Sequence, residues 1–130
     1  MIAAQDSCQR PRCRLVLDWI DAATLAVELQ APNPPVVLDV REPKEWSGSL
    51  GVIEGATLRS STRIHEWVDE ITARRDESFV VLCHTHGRSA QVAYILQQEG
   101  HPDIRILRDG MLNWSKSGFP HVTWNGCQES

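Results

Sequence analysis

The sequence lacks several features that would assign it to a specialised class of protein. No run among its 130 residues approaches the roughly 18 consecutive apolar residues that a membrane-spanning helix requires. Lysine occurs only at Lys44 and Lys116, and the arginines are scattered, so there is no basic stripe for a nucleic-acid partner. The four cysteines are too few and too irregularly spaced for a disulfide scaffold. We therefore expect free thiols and neither a membrane nor a nucleic-acid partner.

The ends of the chain differ in character from its middle. The opening stretch MIAAQDSCQRPRC has no long apolar segment of the kind found in secretory signals, which predicts a cytoplasmic location. With 42% hydrophobic residues, 23% charged residues and a net charge of −4, the composition is that of an ordinary globular protein. We predict one domain over residues 14–120, preceded by a flexible arm at 1–13 and followed by a polar tail at 121–130.

Short apolar segments along this domain alternate with amphipathic ones. Buried strands are predicted at three apolar runs: VVLDV at 36–40, FVVLC at 79–83 and IRIL at 104–107. A short strand is expected within 14–20, and a weak extended piece is expected at 56–58. Helices are expected between them. This order predicts an α/β fold with a parallel sheet and helices on both faces, and such sheets bind ligands at the carboxyl ends of their strands.

The predicted helices have recognisable start and stop signals. Asp21 is expected to cap the first long helix, and Ser60 or Ser61 the helix that follows the short EPKEW turn. The next helix is expected from about Ser89 and ends at Gly100, and DGMLNWSKSGFP forms the last one. Three tryptophans on these segments are expected to anchor the core: Trp46, Trp67 and Trp114.

The segment FVVLCHTHGRS places a cysteine where a strand ends and a helix is about to begin. Such a turn can direct backbone N–H groups to one point, and the positive end of the helix dipole adds to them, so both effects favour the thiolate of Cys83. Arg88 adds a permanent cation suited to an oxyanion. We interpret the segment as an activated cysteine in an anion-binding loop; the alternative is a buried strand-end cysteine beside a solvated arginine.

The chain resembles the rhodanese-like domain family. CHTHGRS after FVVL resembles the family's active-site loop, in which the cysteine is followed after four residues by Arg and often Ser. VVLDVREPKEW resembles the family's upstream Asp-Val-Arg signature, and GA at 55–56 matches the short segment that follows it. RILRDGMLNWSKSGFP resembles the family's closing segment. The resemblance covers about residues 14–120 and implies a rhodanese-like, five-stranded parallel sheet flanked by helices on both faces.

The resemblance implies a single-domain enzyme of the thiosulfate sulfurtransferase (rhodanese) type that needs no cofactor. Cys83 would take a sulfane sulfur from thiosulfate or a persulfide donor, hold it as a persulfide, and pass it to cyanide or a thiol. The expected partners are therefore a small sulfur-containing anion, a cyanide or thiol acceptor, or a protein that donates or accepts a persulfide. The active-site loop would consist of Cys83, His84, Thr85, His86, Gly87, Arg88 and Ser89.

Two residues of this loop have two possible roles each. Arg88 either orients an anionic donor or braces the loop by pairing with a carboxylate, and Ser89 either donates to the sulfur or caps the helix. His84 and His86 are expected to line the loop rather than bind metal, because a structural zinc site needs four ligands and Cys127 is remote.

Residues outside the loop complete the prediction. Asp39 and Arg41 lie two apart at a strand end and so point to the same face, where the resemblance suggests that they support the site from behind as an ion pair. Cys8 and Cys13 have no third or fourth ligand in the arm and are expected to be spare thiols.

The loop also departs from the family pattern. His86 stands where the family commonly has Gly, with Gly87 one position later, so a loop that needs a left-handed residue would have its bend displaced by one position or strain at His86. VIE at 52–54 replaces the family's His-Ile-Pro, and we expect region 47–54 to be looser than usual.

Two other functions remain open. Cysteine phosphatases and arsenate reductases place five residues between Cys and Arg, to surround a tetrahedral oxyanion, whereas four intervene here, a shorter loop that fits a sulfur atom better. A persulfide carrier or regulatory binding module with little turnover would need the same reactive Cys83, so the sequence does not separate it from an enzyme.

Overall fold

The computed structural model describes residues 17–125, in which five strands form one sheet. The strands are β1 (Asp18–Ile20), β2 (Val36–Asp39), β3 (Thr57–Leu58), β4 (Phe79–Leu82) and β5 (Ile104–Leu107). All neighbouring strands pair in parallel, in the order β1-β5-β4-β2-β3. The predicted α/β fold with a five-stranded parallel sheet is confirmed. Residues 1–16, with Cys8 and Cys13, and residues 126–130, with Cys127, lie outside the described residues.

Helices cover both faces of the sheet. They are α1 (Ala22–Glu28), α2 (Pro43–Trp46), α3 (Ile64–Ala73), α4 (Gly87–Gln98) and α5 (Gly110–Lys116), with a 3₁₀ turn at Ser61–Arg63 before α3. The core contacts place α1, α2 and α5 on one face and α3 and α4 on the other. None of the helices in this part of the chain is long and apolar enough to cross a membrane.

The central strand β4 explains why Cys83 is where it is. All four of its residues are completely buried, as expected for a strand covered on both faces. Val80 and Leu82 face the core that contains Trp46 and Trp114, while Val81 and Cys83 face the other core. Trp67 anchors that second core, so the predicted roles of the three tryptophans are confirmed.

Two predicted helix caps are wrong, because neither side chain makes a capping hydrogen bond to its helix. Asp21 occupies the position before α1 but makes no capping hydrogen bond; its Oδ1 accepts from Arg108 Nε at 3.2 Å. Ser60 precedes the 3₁₀ turn, and its hydroxyl donates to the carboxylate of Glu42 at 2.7 Å instead of capping a helix.

The segment 47–54, which we expected to be looser than usual, is hydrogen-bonded to two other parts of the domain. Gly51 accepts a 2.7 Å hydrogen bond from Arg41 Nη2, and Val52 exchanges two backbone hydrogen bonds of 2.9 and 2.8 Å with Val122. Gly51 has a φ of +62°, and a Cβ there would collide with the carbonyl of Val122. Residues 121–125, expected to belong to a polar tail, therefore pack on the domain, and Trp124 contacts the ring of Trp46 edge-on.

Candidate functional site

Cys83 lies directly after β4 and directly beneath the start of α4. It is 1% exposed, and its Sγ is 3.4 Å from both the backbone nitrogen and the hydroxyl of Ser89. The amides of a helix's first turn have no partner within the helix, and Ser89 is the third residue of α4, so its amide is free to donate to the sulfur. The positive end of the α4 dipole therefore faces Sγ.

The helix begins at Gly87, two residues before the predicted start, and this changes the role of Ser89. A residue inside the first turn does not cap the helix, so the capping alternative is wrong. The Ser89 hydroxyl instead contacts Sγ and donates to the carbonyl of His86 at 3.2 Å.

The carbonyl groups of Cys83 and His84 in the loop are hydrogen-bonded to the amino terminus of α5. Met111 N donates to the carbonyl of Cys83 at 2.9 Å, and Leu112 N donates to that of His84 at 3.0 Å. Gly110 has a φ of +58°, and a Cβ on it would collide with the carbonyl oxygens of Cys83, His84 and Thr85. A glycine is thus required here, both by its backbone conformation and by the close approach of the loop.

The bend of the loop contains no left-handed residue, so neither a displaced bend nor strain at His86 arises. His86 has a φ of −156°, and Gly87 is not among the residues with positive φ. A Cβ on Gly87 would meet nothing within 4 Å. Across the contact, Asp109 and Gly110 at the start of α5 have the left-handed conformation.

Arg88 makes a two-pronged ion pair with Glu45 of α2. Its Nη1 and Nη2 lie 2.7 and 2.8 Å from the two carboxylate oxygens, so of its two predicted roles the structure shows the brace. These hydrogen bonds lower the pKa of Glu45 from its ordinary value of 4.5 to about 2, although burial opposes the shift. The pair therefore contributes stability that is present above pH 4.5 and is lost as the pH falls towards 2.

Glu45 is itself held in place by its helix. It is the third residue of α2, and its Oε1 accepts from the backbone nitrogen of Glu42 at 2.9 Å, completing a capping box. Glu42 is fixed in turn by the hydroxyls of Ser60 and Thr62. Arg88 is thus paired with a carboxylate that has little freedom to move away.

Asp39 and Arg41 form a buried ion pair at the end of β2, as predicted. Arg41 Nη2 lies 2.7 Å from Asp39 Oδ2, and the two side chains are 1% and 0% exposed. Asp39 also accepts from the indole nitrogen of Trp46 at 3.1 Å, while Arg41 donates to the carbonyl of Gly51. The pair therefore connects the end of β2 to α2 and to the segment 47–54, and it has no exposed surface for a substrate.

The outer face of the loop is exposed. His84, Thr85, His86 and Gly87 all face solvent. The ring of His86 lies edge-on to Trp19, with 5.9 Å between centroids. Within residues 17–125 no group of three His, Cys, Asp or Glu side chains is placed to hold a metal ion.

Three residues of the site were missed in the sequence: Glu45, Gly110 and Trp19. The spacing Glu-Pro-Lys-Glu at 42–45 is a capping pattern at the carboxyl edge of the sheet and could have indicated Glu45. The Asp-Gly pair at 109–110 is a turn signal and could have indicated a positive φ at Gly110. No local pattern indicates Trp19, because its contact with His86 joins distant parts of the chain.

Replacing Asp39 by Asn should strongly destabilise the fold, because it leaves the charge of Arg41 buried without a counter-ion. We expect a loss of about 3–5 kcal/mol in the free energy of unfolding, measured by urea denaturation. Glu70→Gln is the matched control, since Glu70 pairs with Arg59 at the same 2.7 Å but is 43% exposed. It should cost less than about 1 kcal/mol, and equal losses in the two variants would contradict the assigned role.

Replacing Gly110 by Ala should displace the loop, whereas Gly118→Ala should not. Both glycines have positive φ, +58° and +82°, but a Cβ on Gly118 meets nothing within 4 Å. We expect Gly118→Ala to cost about 1–2 kcal/mol through backbone strain alone. Gly110→Ala should cost about 2 kcal/mol more, because two helix–loop hydrogen bonds are also disturbed. Amide hydrogen exchange at residues 83–89 should accelerate only in Gly110→Ala; equal exchange in both variants would contradict this.

Comparison with known proteins agrees with this geometry. Residues 21–117 match the family described as the rhodanese-like domain. A protein named Sulfurtransferase from Allochromatium vinosum is 30% identical over 111 residues, which are 85% of this chain and 100% of that protein. The "Probable adenylyltransferase/sulfurtransferase MoeZ" of Mycobacterium tuberculosis is 28% identical over 120 residues, 92% of this chain but 27% of that longer protein.

A solved structure shows the same similarity in three dimensions. The crystal structure of a rhodanese-related protein from Thermoplasma volcanium superposes with a TM-score of 0.70 at 30% identity, and the match covers 79% of this chain and 95% of that one. Since the family match, the sulfurtransferase relative and the fold all agree, the chain belongs to the rhodanese-like domain family, a family of sulfur-transfer proteins.

Proposed function

We propose that this protein is a sulfurtransferase that carries a sulfane sulfur on Cys83. The observation that supports this most directly is the position of Sγ, 3.4 Å from both the amide and the hydroxyl of Ser89 at the start of α4. A helix amino terminus with an amide that donates to one atom, and a hydroxyl beside it that is able to donate, stabilises negative charge on that atom. Both the thiolate and the persulfide of such a cycle carry that charge.

The first half-reaction loads the cysteine. The Cys83 thiolate attacks the outer sulfur of thiosulfate, the sulfur–sulfur bond of the donor breaks, and sulfite leaves with the bonding electron pair. In the second half-reaction cyanide or a thiolate attacks the outer sulfur of the Cys83 persulfide. Thiocyanate or a new persulfide leaves, and the Cys83 thiolate is restored, so no cofactor or external oxidant is consumed.

Ser89 assists by turning its hydroxyl. While Cys83 is a thiol, the Sγ–H donates to Ser89 Oγ and the serine donates to the carbonyl of His86. Once the proton is lost, Sγ has no hydrogen to donate and becomes an acceptor, so the hydroxyl rotates towards it. The serine therefore stabilises the thiolate without a general base being needed.

A persulfide carrier is the second candidate. The name of the mycobacterial relative combines an adenylyltransferase with a sulfurtransferase, and this chain matches 27% of that protein. A domain of this type thus occurs inside a longer protein, where a protein partner could load or unload it. The same Cys83 chemistry applies, but the donor would be a protein persulfide.

Incubation with thiosulfate should add the mass of one sulfur atom to the intact protein. We expect the adduct on the wild type and its removal by cyanide, measured by intact mass spectrometry. Cys83→Ser retains Cys8, Cys13 and Cys127 and is therefore the internal control for reaction at other thiols. An adduct of equal amount on Cys83→Ser, or none on the wild type, would contradict the proposal.

Steady-state kinetics should separate the enzyme from the carrier. We expect thiocyanate formation from thiosulfate and cyanide at a rate that matches or exceeds loading by a protein persulfide. Slow turnover beside fast loading by the protein donor would favour the carrier. Hydrolysis of an aryl phosphate faster than thiosulfate turnover would overturn both in favour of a cysteine phosphatase.

A further inference from the structure

Residues 120–125 lie beyond the part of the chain that matches the family, yet they are bound to the domain. The family match covers residues 21–117. After it, the carbonyl of Pro120 accepts from the indole nitrogen of the α5 tryptophan at 2.8 Å, and Val122 exchanges two backbone hydrogen bonds of 2.9 and 2.8 Å with Val52. The segment therefore has a defined path along the domain and places its side chains against it.

Trp124, towards the end of this segment, packs on α2. Its ring lies edge-on to that of Trp46 with 5.3 Å between centroids, and it contacts the buried core to which Trp46 belongs. The indole nitrogen of Trp124 is buried and makes no hydrogen bond within residues 17–125, so ring packing and not a polar contact holds the side chain there. Trp46 is thus held both by Trp124 and by the hydrogen bond from its own indole nitrogen to Asp39.

The helix α2 also carries the carboxylate that braces the Cys83 loop. Glu45, the neighbour of Trp46 in the chain, binds the two terminal nitrogens of Arg88 at 2.7 and 2.8 Å. Arg88 directly precedes Ser89, whose amide and hydroxyl are both 3.4 Å from the sulfur of Cys83. Because adjacent residues of one helical turn move together, a displacement of Trp46 also displaces the carboxylate of this ion pair.

We infer that Trp124 is a positioning residue for Cys83. Its ring keeps α2 in place, and α2 keeps the first turn of α4 in place through the ion pair between Glu45 and Arg88. The hold on α2 is testable without a sulfur donor, whereas its effect on turnover rests on the proposed sulfur transfer. Because residues 120–125 lie outside the family match, this support comes from a segment that the family match does not include.

Nuclear magnetic resonance of the Glu45 carboxyl carbon measures how firmly α2 holds the ion pair. In the wild type the hydrogen bonds from Arg88 lower the pKa of Glu45 to about 2, so its chemical shift should stay constant between about pH 6 and about pH 3.5. In Trp124→Ala we expect the carboxyl to begin to protonate within this range. The reason is that a looser ion pair lets its pKa rise by about one pH unit or more towards the ordinary value.

Three further variants separate positioning from general packing. Trp124→Phe should restore the wild-type titration, since it keeps an aromatic edge and loses only a nitrogen that makes no hydrogen bond within residues 17–125. Trp124→Leu keeps an apolar side chain without a ring; it should behave like Trp124→Ala and replaces it if that variant does not fold. Phe119→Ala is the matched control, because Phe119 packs on Trp114 of α5 in the same core, with 5.0 Å between ring centroids. It removes a comparable ring contact and should leave the Glu45 carboxyl unchanged.

Formation of thiocyanate from thiosulfate and cyanide is the second measurement. We expect kcat/KM to fall roughly tenfold in Trp124→Ala, through kcat more than KM, because a displaced Ser89 stabilises charge on the sulfur less well. Trp124→Phe and Phe119→Ala should retain the wild-type value. A Glu45 carboxyl that stays ionised in Trp124→Ala, an equal change in Phe119→Ala, or wild-type turnover beside a protonated Glu45 would overturn the inference. Absence of turnover in the wild type would instead remove the proposed function, while the carboxyl titration would still decide whether Trp124 holds α2.

Discussion

The buried ion pair between Asp39 and Arg41 is the interaction on which the surroundings of Cys83 depend. Two charges without exposed surface are tolerated only when their remaining hydrogen-bonding capacity is satisfied, and here Trp46 and Gly51 satisfy it. These two partners belong to α2 and to the segment that follows it, so the pair fixes both relative to the end of β2. The position of Glu45 on α2, and through it that of Arg88, follows from this buried contact.

The loop is held between the amino termini of two helices. The free amides of the first turn of α5 take the carbonyls of Cys83 and His84, while the corresponding amide of Ser89 in α4 takes Sγ. The two helices thus orient the polar groups of one short loop in opposite directions, with acceptors towards α5 and donors towards the sulfur. Gly110, at the contact with the loop, has the left-handed conformation, and no residue of 83–89 does.

The sequence was sufficient to predict the fold, and the contacts of the site only in part. The apolar runs predicted the strands because a strand that is buried on both faces consists almost entirely of apolar residues. Cys83, Asp39 and Arg41 could be predicted as site residues because they lie at the carboxyl ends of strands. The two cap predictions were wrong because a residue's capping propensity describes only its contact with the adjacent helix. It does not show which charged side chain, distant in the sequence, Asp21 or Ser60 contacts in the folded chain. Glu45 and Trp19 were missed for the same reason, since their partners lie 43 and 67 positions away along the chain.

The brace at Arg88 also fixes the electrostatic character of the site. An arginine close to a cysteine sulfur can either remain free to bind an anionic substrate or be held by a carboxylate. A guanidinium whose two terminal nitrogens are bound to a carboxylate has few donors left for a substrate. Here the two-pronged geometry, the capping box around Glu45 and the low pKa of that carboxylate all favour the second arrangement. The loop is therefore braced without a free cation, and the polar groups of Ser89 that lie next to Sγ, its amide and its hydroxyl, carry no net charge.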